Sequence, residues 1–395
     1  MKIISIVGAR PQFIKLAPFA RAIQDHNDSN HEPKIVHLTI HTGQHYSYEM
    51  NKIFYEELGI PEPDCNLEVG SGSHGWQTGE MIKRGEEVLV KEEPNWVFVY
   101  GDTNSTLAGA LTATKLHLPV AHIEAGLRSY NKEMPEEINR VLTDHGSDIL
   151  FCPTENAVKN LRKEGFTNII NNGKLINQNF INSNLSNINF HEPPGVINVG
   201  DIMYDALLLN LEIAKKKSFV LEKLKLKPKE YYLVTIHRAE NTNDKDRLKN
   251  IMEALADVSK EKPVVFPIHP RTKKTLETLR ISAFNFNQIH LIDPVSYFDM
   301  LMLEKNSLKI LTDSGGVQKE AYFFRVPCIT LRNETEWVET VKGSWNVIVG
   351  ADKKRIIEST MNISPKPDYN SRELYGDGET AKKIINLLTK IHIKK

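Results

Sequence analysis

Short runs of β-branched and other apolar residues alternate with longer stretches of helical periodicity along most of this chain. No other feature constrains its fold as tightly. Strands are predicted over 2–7, 35–40, 96–100, 120–123 and 149–152, and helices over 13–24, 48–58, 77–92, 106–116, 136–143 and 157–164. The strand runs are apolar at successive positions instead of alternating, the pattern of strands covered on both faces of a parallel sheet. Repeated βαβ units of this kind build a doubly wound open sheet.

The alternation breaks after Asn168. Asn171-Asn172, Asn177, Asn179, Asn182, Asn184, Asn187 and Asn189 crowd a short stretch that ends in Pro193-Pro194-Gly195, which reads as a loop or linker. A second series follows, with strands over 196–199, 233–236, 264–266, 289–292, 309–312, 328–330 and 347–349, and helices over 206–217, 246–259, 297–304, 316–324 and 353–361. A last helix over 380–390 carries Ile384, Ile385, Leu387 and Leu388 on a mainly apolar face. Two α/β domains suit 395 residues at about 150 per domain. In such sheets ligands bind beyond the carboxyl ends of the strands, so the strand-to-helix loops carry the functional signal.

Composition removes several classes. Fifty Lys and Arg balance fifty Asp and Glu, and without a basic surplus no nucleic-acid partner is expected. No apolar run reaches the 18 or so residues that span a bilayer, and Arg10 interrupts the N-terminal apolar stretch too soon for a signal-peptide core. A soluble, cytoplasmic chain with no membrane partner is expected. Cys65, Cys152 and Cys328 lie far apart with no CxxC pair, which speaks against a disulfide scaffold or a cysteine zinc site.

No GxxxxGK[ST] is present and no GxGxxG follows a strand, so neither a P-loop hydrolase nor an ordinary dinucleotide site is supported. Gly8-Ala9-Arg10-Pro11 offers a glycine, a helix N-terminus and an arginine to a phosphate, although a tight turn with a solvated arginine accounts for it equally well. Thr312-Asp313-Ser314-Gly315-Gly316 is a pyrophosphate cradle without a lysine. Glu320, about one helical turn on, is placed to accept the hydroxyls of a ribose. Taken alone, that loop reads more simply as a capped helix start.

Asp102, Glu124 and Glu136-Glu137 follow or flank strands of the first half. Each alone fits a helix cap or a dipole complement. Three carboxylates at the rim of one sheet, with Lys15 and Arg140 available to pair, point jointly to acid–base chemistry. In the second half His237-Arg238 and His269-Pro270-Arg271 follow strands and favour an anionic ligand. No HExxH or comparable spacing fixes a set of metal ligands.

In their order along the chain, Gly8-Ala9-Arg10-Pro11 with Lys15, Gly101-Asp102-Thr103, His122-Ile123-Glu124-Ala125-Gly126-Leu127-Arg128, Pro135-Glu136-Glu137-Ile138-Asn139-Arg140, His237-Arg238 and Asp313-Ser314-Gly315-Gly316 resemble the non-hydrolysing UDP-N-acetylglucosamine 2-epimerases. The likeness runs from Lys2 to the Tyr375-Gly376-Asp377-Gly378 turn and the last helix. It implies the fold of B-type glycosyltransferases: α/β, two doubly wound Rossmann-like domains facing a cleft. The first domain is expected over 1–175 plus 376–395, the second, UDP-binding, over 196–375, with an Asn-rich linker over 176–195.

The resemblance implies interconversion of UDP-GlcNAc and UDP-ManNAc by inversion at C2. UDP is eliminated to leave a 2-acetamidoglucal and then adds back, without nicotinamide, metal or other cofactor. It also implies a homodimer. The family's acid–base carboxylates fall on Asp102, Glu124 and Glu136. Asp102 and Glu136 handle protons, Glu124 stabilises charge at the anomeric carbon, and Lys15 is grouped with them. His237 binds or protonates the departing phosphate. Arg10, Arg140, His269, Ser314, Gly315 and Gly316 hold the nucleotide, and Glu320 the ribose.

The chain departs from the family's common segments. Thr335-Glu336-Trp337-Val338-Glu339 stands for Thr-Glu-Arg-Pro-Glu, and His237-Arg238-Ala239-Glu240-Asn241 for His-Arg-Arg-Glu-Ser. These variants resemble the branch acting on modified UDP-sugars, including diacetamido-uronic acid nucleotides. The segment Gly70-Ser71-Gly72-Ser73-His74-Gly75-Trp76-Gln77 lacks the arginine of members activated by a second UDP-GlcNAc. The rival readings are a glycosyltransferase of the same fold, a hydrolysing epimerase, and a silent nucleotide-sugar-binding module. The carboxylate set speaks against the first and the last.

Overall fold

The computed structural model describes residues 1–44, 59–184, 194–278, 288–365 and 374–391, so the helix expected over 48–58 lies outside the described residues. One sheet contains β1 (Lys2–Val7), β2 (Val36–His41), β3 (Cys65–Asn66), β4 (Trp96–Tyr100), β5 (Val120–Ile123), β6 (Ile149–Cys152) and β7 (Gly195–Asn198), in the order β3-β2-β1-β4-β5-β6-β7. A second contains β8 (Tyr232–Thr235), β9 (Val264–Pro267), β10 (Ile289–Ile292), β11 (Lys309–Thr312), β12 (Cys328–Thr330) and β13 (Asn346–Ile348), in the order β10-β9-β8-β11-β12-β13. Every pairing is parallel: β1, for example, sets Lys2 against Val36 on one side and Ile3 against Trp96 on the other. The strand order turns back between β1 and β4 in the first sheet and between β8 and β11 in the second. At such a switch point two neighbouring loops diverge and leave room for a ligand.

The apolar runs make these sheets because both faces are covered. Val97 and Val99 of β4 pack with Ile4, Ile6, Val120 and Leu89 on one face. Phe98 turns to Phe19 and Phe151 on the other, with ring centroids 4.7 and 6.4 Å away. In the second sheet Val234, Phe266, Leu311 and Ile329 meet Ile251 and Leu255. Leu233, Val265, Ile310 and Cys328 face Leu303 and Ala321. Each such side chain contributes about 1.5–3 kcal/mol by burial.

Several helices begin ahead of their apolar periodicity because polar residues start them. Arg10–Asp28 has Pro11 in its first turn, where the missing N–H leaves no bond unmade. Thr103 caps Asn104–Lys115 by accepting from the Thr106 N–H, and Asp244 caps Lys245–Val258 through Asp246 and Arg247.

The chain divides into two compact units, Met1–Leu208 with Glu373–Lys395, and Leu209–Arg372. The second domain was expected to open with the strand near 196, but that strand is β7 of the first sheet, where Leu150 lies opposite Val196. An apolar run does not declare which sheet it joins, and β7 pairs with an edge of β6 that would otherwise present open hydrogen-bonding groups. The boundary falls within the helix Ile202–Lys217. Part of the expected linker is the helix Gln178–Asn184. The helix Thr380–Leu388 packs on Arg10–Asp28 and Gln178–Asn184, and Asn386 Nδ2 donates to Gln178 Oε1 at 2.9 Å. Its first turn is tied down by Asp205, whose Oδ2 accepts from the Ala381 N–H at 2.8 Å. Burial pushes the Asp205 carboxyl up to about 7 against the hydrogen bonds from Ala381 and Thr380. No helix among the described residues is long and apolar enough to cross a membrane.

Candidate active site

The switch point of the first sheet carries the loops leaving β1 and β4, with the loop leaving β5 beside them. Gly101 follows β4 with φ +65°, and a Cβ there would come within 3.0 Å of Lys15 Nζ and 3.2 Å of Glu124 Oε2. Only glycine lets these two side chains meet over the turn. Lys15 Nζ donates to Glu124 Oε2 in a buried ion pair. Glu124 itself has φ +75°, a strained conformation for a residue with a side chain, held as its N–H and that of Ala125 donate to the Phe151 carbonyl at 3.1 Å. The next residue along from Gly101 is Asp102, whose side chain is about one-third exposed and accepts from Arg140 Nη2 at 2.5 Å. Asn139 Nδ2 donates to the Asp102 backbone carbonyl at 2.9 Å.

The helix Pro135–Gly146 separates its two leading glutamates. Glu136 is half-buried, whereas Glu137 is buried and accepts from the Ser129 and Tyr130 N–H groups, each at 2.9 Å, and from Arg140 Nη1 at 2.6 Å. Burial alone would push the Glu137 carboxyl up. The Ser129 N–H, Arg140 and the Tyr130 N–H outweigh it and hold it below the usual range. Glu137 is thus a brace for the 129–130 turn, and Arg140 bridges it to Asp102. One turn further, Asp144 is fully buried with His122 Nδ1 at 2.7 Å, Arg128 Nη1 at 2.7 Å and the Gly126 N–H at 3.1 Å. Burial opposes its charge, but His122 and Arg128 together keep the carboxyl below its usual range. Glu137, Arg140 and Asp144 follow one another at helical spacing on the buried side. That polar stripe on a core-facing helix is the sequence signal that marks them.

The loop after β1 differs from its expected use. The Gly8 and Ala9 N–H groups both donate to Gln12 Oε1, at 2.7 and 3.1 Å, and a Cβ on Gly8 would lie 2.1 Å from Thr42 Oγ1 and 2.2 Å from Ser105 Oγ. The glycine therefore accommodates two protein hydroxyls, and these amides are not a phosphate cradle. Gln12 Nε2 goes on to the Tyr100 carbonyl and Thr106 Oγ1, both at 3.0 Å, and so ties β1 to β4. Arg10 is exposed at the start of its helix.

The second unit gathers its polar residues around Asp313. This fully buried carboxylate accepts from the His237 N–H at 3.1 Å, the Arg238 N–H at 3.1 Å and Asn241 Nδ2 at 3.1 Å, so the loops after β8 and β11 are fastened across the switch point. His237 Nδ1 lies 3.7 Å from Asp313 Oδ1, its side chain 40% exposed, and its ring is 6.0 Å from that of His269. Ser314 is the N-cap residue of the helix Gly315–Phe323, and the first-turn N–H groups of a helix point outward toward anions. Glu320 is buried and accepts from Tyr297 Oη at 3.2 Å.

Trp337 is buried below the same loop. Lys319 Nζ sits 3.9 Å above its ring, and a Cβ on Gly315 would come 3.2 Å from its Nε1 and 2.9 Å from Glu336 Oε1. Arg332 Nη1 holds Glu336 Oε2 at 3.0 Å. The residue that departs from the family segment therefore buttresses the glycine loop. Among the described residues no three His, Cys, Asp or Glu side chains gather as a metal centre.

Comparison with known proteins extends over nearly the whole chain. A family model described as UDP-N-acetylglucosamine 2-epimerase matches residues 27–389. A Methanococcus maripaludis protein named as a UDP-N-acetylglucosamine 2-epimerase homolog is 52% identical over 392 residues, covering 98% of this chain and 99% of its own. The UDP-2,3-diacetamido-2,3-dideoxy-D-glucuronate 2-epimerase of Pseudomonas aeruginosa is 44% identical, covering 99% of this chain and 100% of its own. The crystal structure of Methanocaldococcus jannaschii UDP-GlcNAc 2-epimerase in complex with UDP-GlcNAc and UDP superimposes with a TM-score of 0.81 at 44% identity, over 98% of this chain and 99% of that one.

Proposed function

The chain belongs to the UDP-N-acetylglucosamine 2-epimerase family, and on that premise we propose that it inverts C2 of a UDP-2-acetamido sugar, interconverting UDP-GlcNAc and UDP-ManNAc. The observation that carries this reading is the constellation at the first switch point: Lys15 on Glu124 against Gly101, and Arg140 on Asp102, the residue that follows it.

C2–H stands beside no carbonyl, so its removal needs a leaving group at C1. UDP departs as C2–H is taken, a 2-acetamidoglucal forms, and UDP adds back as a proton reaches the other face of C2. Asp102 and Glu136 handle these protons, one to each face. Glu124, its charge balanced by Lys15, faces the positive charge that develops at C1. The nucleotide is held by Ser314, Gly315 and Gly316, with Glu320 on the ribose, His237 and His269 at the phosphates, and Arg10 and Arg140 as further cationic contacts. A homodimer and a cytoplasmic location are part of the same proposal and rest on the family resemblance.

A second reading shares the reaction and changes the sugar. It is favoured by the 44% identity to the diacetamido-glucuronate enzyme. The ratio of kcat/KM for the two nucleotide sugars decides between them.

The primary test is incubation with UDP-GlcNAc in deuterium oxide, followed by NMR. UDP-ManNAc carrying deuterium at C2 is expected. Epimerisation without deuterium uptake overturns the proton-transfer roles, and transfer to an added acceptor in place of epimerisation restores the transferase reading.

A further inference from the structure

We propose that His122 is a positioning residue for this reaction: held as an imidazolium between the Asp144 carboxylate and the Gly101 carbonyl, it fixes the turn that carries Asp102 and on which Lys15 and Glu124 meet. The inference rests on the reading that Asp102 and Glu124 act at the sugar.

His122 is fully buried, and both ring nitrogens face oxygen. Nδ1 lies 2.7 Å from Asp144 Oδ1, and Nε2 lies 2.8 Å from the Gly101 carbonyl oxygen. A carbonyl oxygen only accepts. Asp144 is equally committed to accepting, since its other oxygen takes Arg128 Nη1 and the Gly126 N–H. Two acceptors require two N–H groups, and a neutral imidazole has one. The doubly protonated ring is the state that satisfies every atom, and it brings a positive charge to a position where both His122 and Asp144 are fully buried. Arg128 shares the carboxylate of Asp144 and spreads the balance to Glu164, which it meets through Nε at 2.7 Å.

The Gly101 carbonyl belongs to the peptide that joins Gly101 to Asp102. Its orientation sets both where the Asp102 carboxylate points and how closely Gly101 approaches Lys15 Nζ and Glu124 Oε2. The following carbonyl, that of Asp102, is held by Asn139. Two successive peptide planes are thus pinned by side-chain donors, the first by a charged one. His122 also precedes Glu124 by two residues, so one short segment fixes Glu124 directly and Asp102 across the sheet.

The test compares His122→Gln with His122→Asn. Glutamine puts its amide nitrogen near the Nε2 position and keeps a donor on the Gly101 carbonyl. Asparagine reaches only the Nδ1 side and keeps Asp144 alone. Misplacing catalytic groups by an ångström costs about 10²-fold, so kcat of His122→Asn is expected to fall by that order, with KM and UDP affinity little changed, while His122→Gln keeps most of it. A purely structural histidine predicts that both variants lose activity together in step with their melting temperatures, and that outcome overturns the proposal. In ¹⁵N-histidine-labelled native protein at neutral pH, both His122 ring nitrogens are expected to report as protonated. One protonated and one bare nitrogen overturns the proposal even if neither variant folds. Failure of the underlying reading shows elsewhere, as native enzyme that epimerises without acquiring deuterium at C2.

Discussion

The two units share a strand order over six strands, β7 being an addition to the first, and put polar residues at the same place in it, yet they build those places from different materials. At the first switch point charge meets charge: Lys15 on Glu124, Arg140 on Asp102 and Glu137, Arg128 and His122 on Asp144. At the second, one buried carboxylate, Asp313, organises backbone N–H groups, and the glycine loop presents a helix start. The difference suits the two tasks proposed above, proton transfer at the first and diphosphate binding at the second. Groups that give and take protons are side chains held by other side chains. A diphosphate is served by backbone donors that never change charge.

The largest expected effect separates the units by function. Asp102→Asn and Glu136→Gln keep side-chain size and remove the proton acceptor, so epimerisation should fall by about 10²–10⁴-fold. Calorimetric UDP affinity should stay as in the native enzyme. Loss of UDP binding in either variant would erase the contrast drawn above.

Asp313→Ala is the counterpart in the second unit. It strips the acceptor from the His237 and Arg238 N–H groups and from Asn241, each worth about 1–3 kcal/mol when left unsatisfied. Denaturant unfolding should show lower stability, and titration weaker UDP binding. Native stability would mean the loops do not depend on that carboxylate.

Glycine substitutions sharpen the comparison further. A Cβ on Gly316 meets only Ser314 Oγ, at 3.9 Å, whereas one on Gly315 runs into Glu336 and Trp337. Gly316→Val should therefore weaken UDP binding by about tenfold, roughly one charge-assisted hydrogen bond, with the melting temperature kept. Gly315→Val should lower both. Equal behaviour of the two would place the diphosphate away from this loop.

The smallest effect concerns the first unit alone. Asp205 is raised to about 7 when folded, above the ordinary value of about 3.9. Its contribution to stability is fully present below the ordinary value and is lost as pH rises through about 7, because the unfolded chain gives up the proton first. Asp205→Asn keeps an oxygen for the Ala381 N–H and removes the titration. Its melting temperature should gain on the native protein as pH increases over that interval; parallel profiles would refute the assignment.

Much of this architecture is legible in the sequence because buried parallel strands leave unbroken apolar runs. β4, β5, β6, β10, β11 and β12 coincide with the predicted bounds. The two-residue β3 and short helices such as Ala239–Thr242 have too few residues to carry a period. β7 was visible as a strand but not as the partner of β6, since pairing is decided by edges that meet only on folding. The pairing of Lys15 with Glu124 and of Arg140 with Asp102 was open to inference from charge and position. The role of Gln12 was not: nothing local shows that a glutamine side chain will occupy the amides of Gly8 and Ala9, which a phosphate would otherwise claim. Glu136 and Glu137 are indistinguishable by motif, and only the helix orientation makes Glu137 the brace.

The first unit is assembled from both sides of the second, with Thr380–Leu388 docked on Arg10–Asp28. On the ribosome this sets a timetable. The second unit is continuous from Leu209 to Arg372 and is synthesised whole before residue 380 emerges. The sheet that precedes the second unit in translation waits for a helix that follows it. Synthesis adds about 5–20 residues per second and domains fold as units while it proceeds, so the side of Arg10–Asp28 on which that helix docks stays uncovered for many seconds after β7 has left the tunnel. Chaperone capture and premature termination therefore threaten the older half of the nascent chain more than the younger.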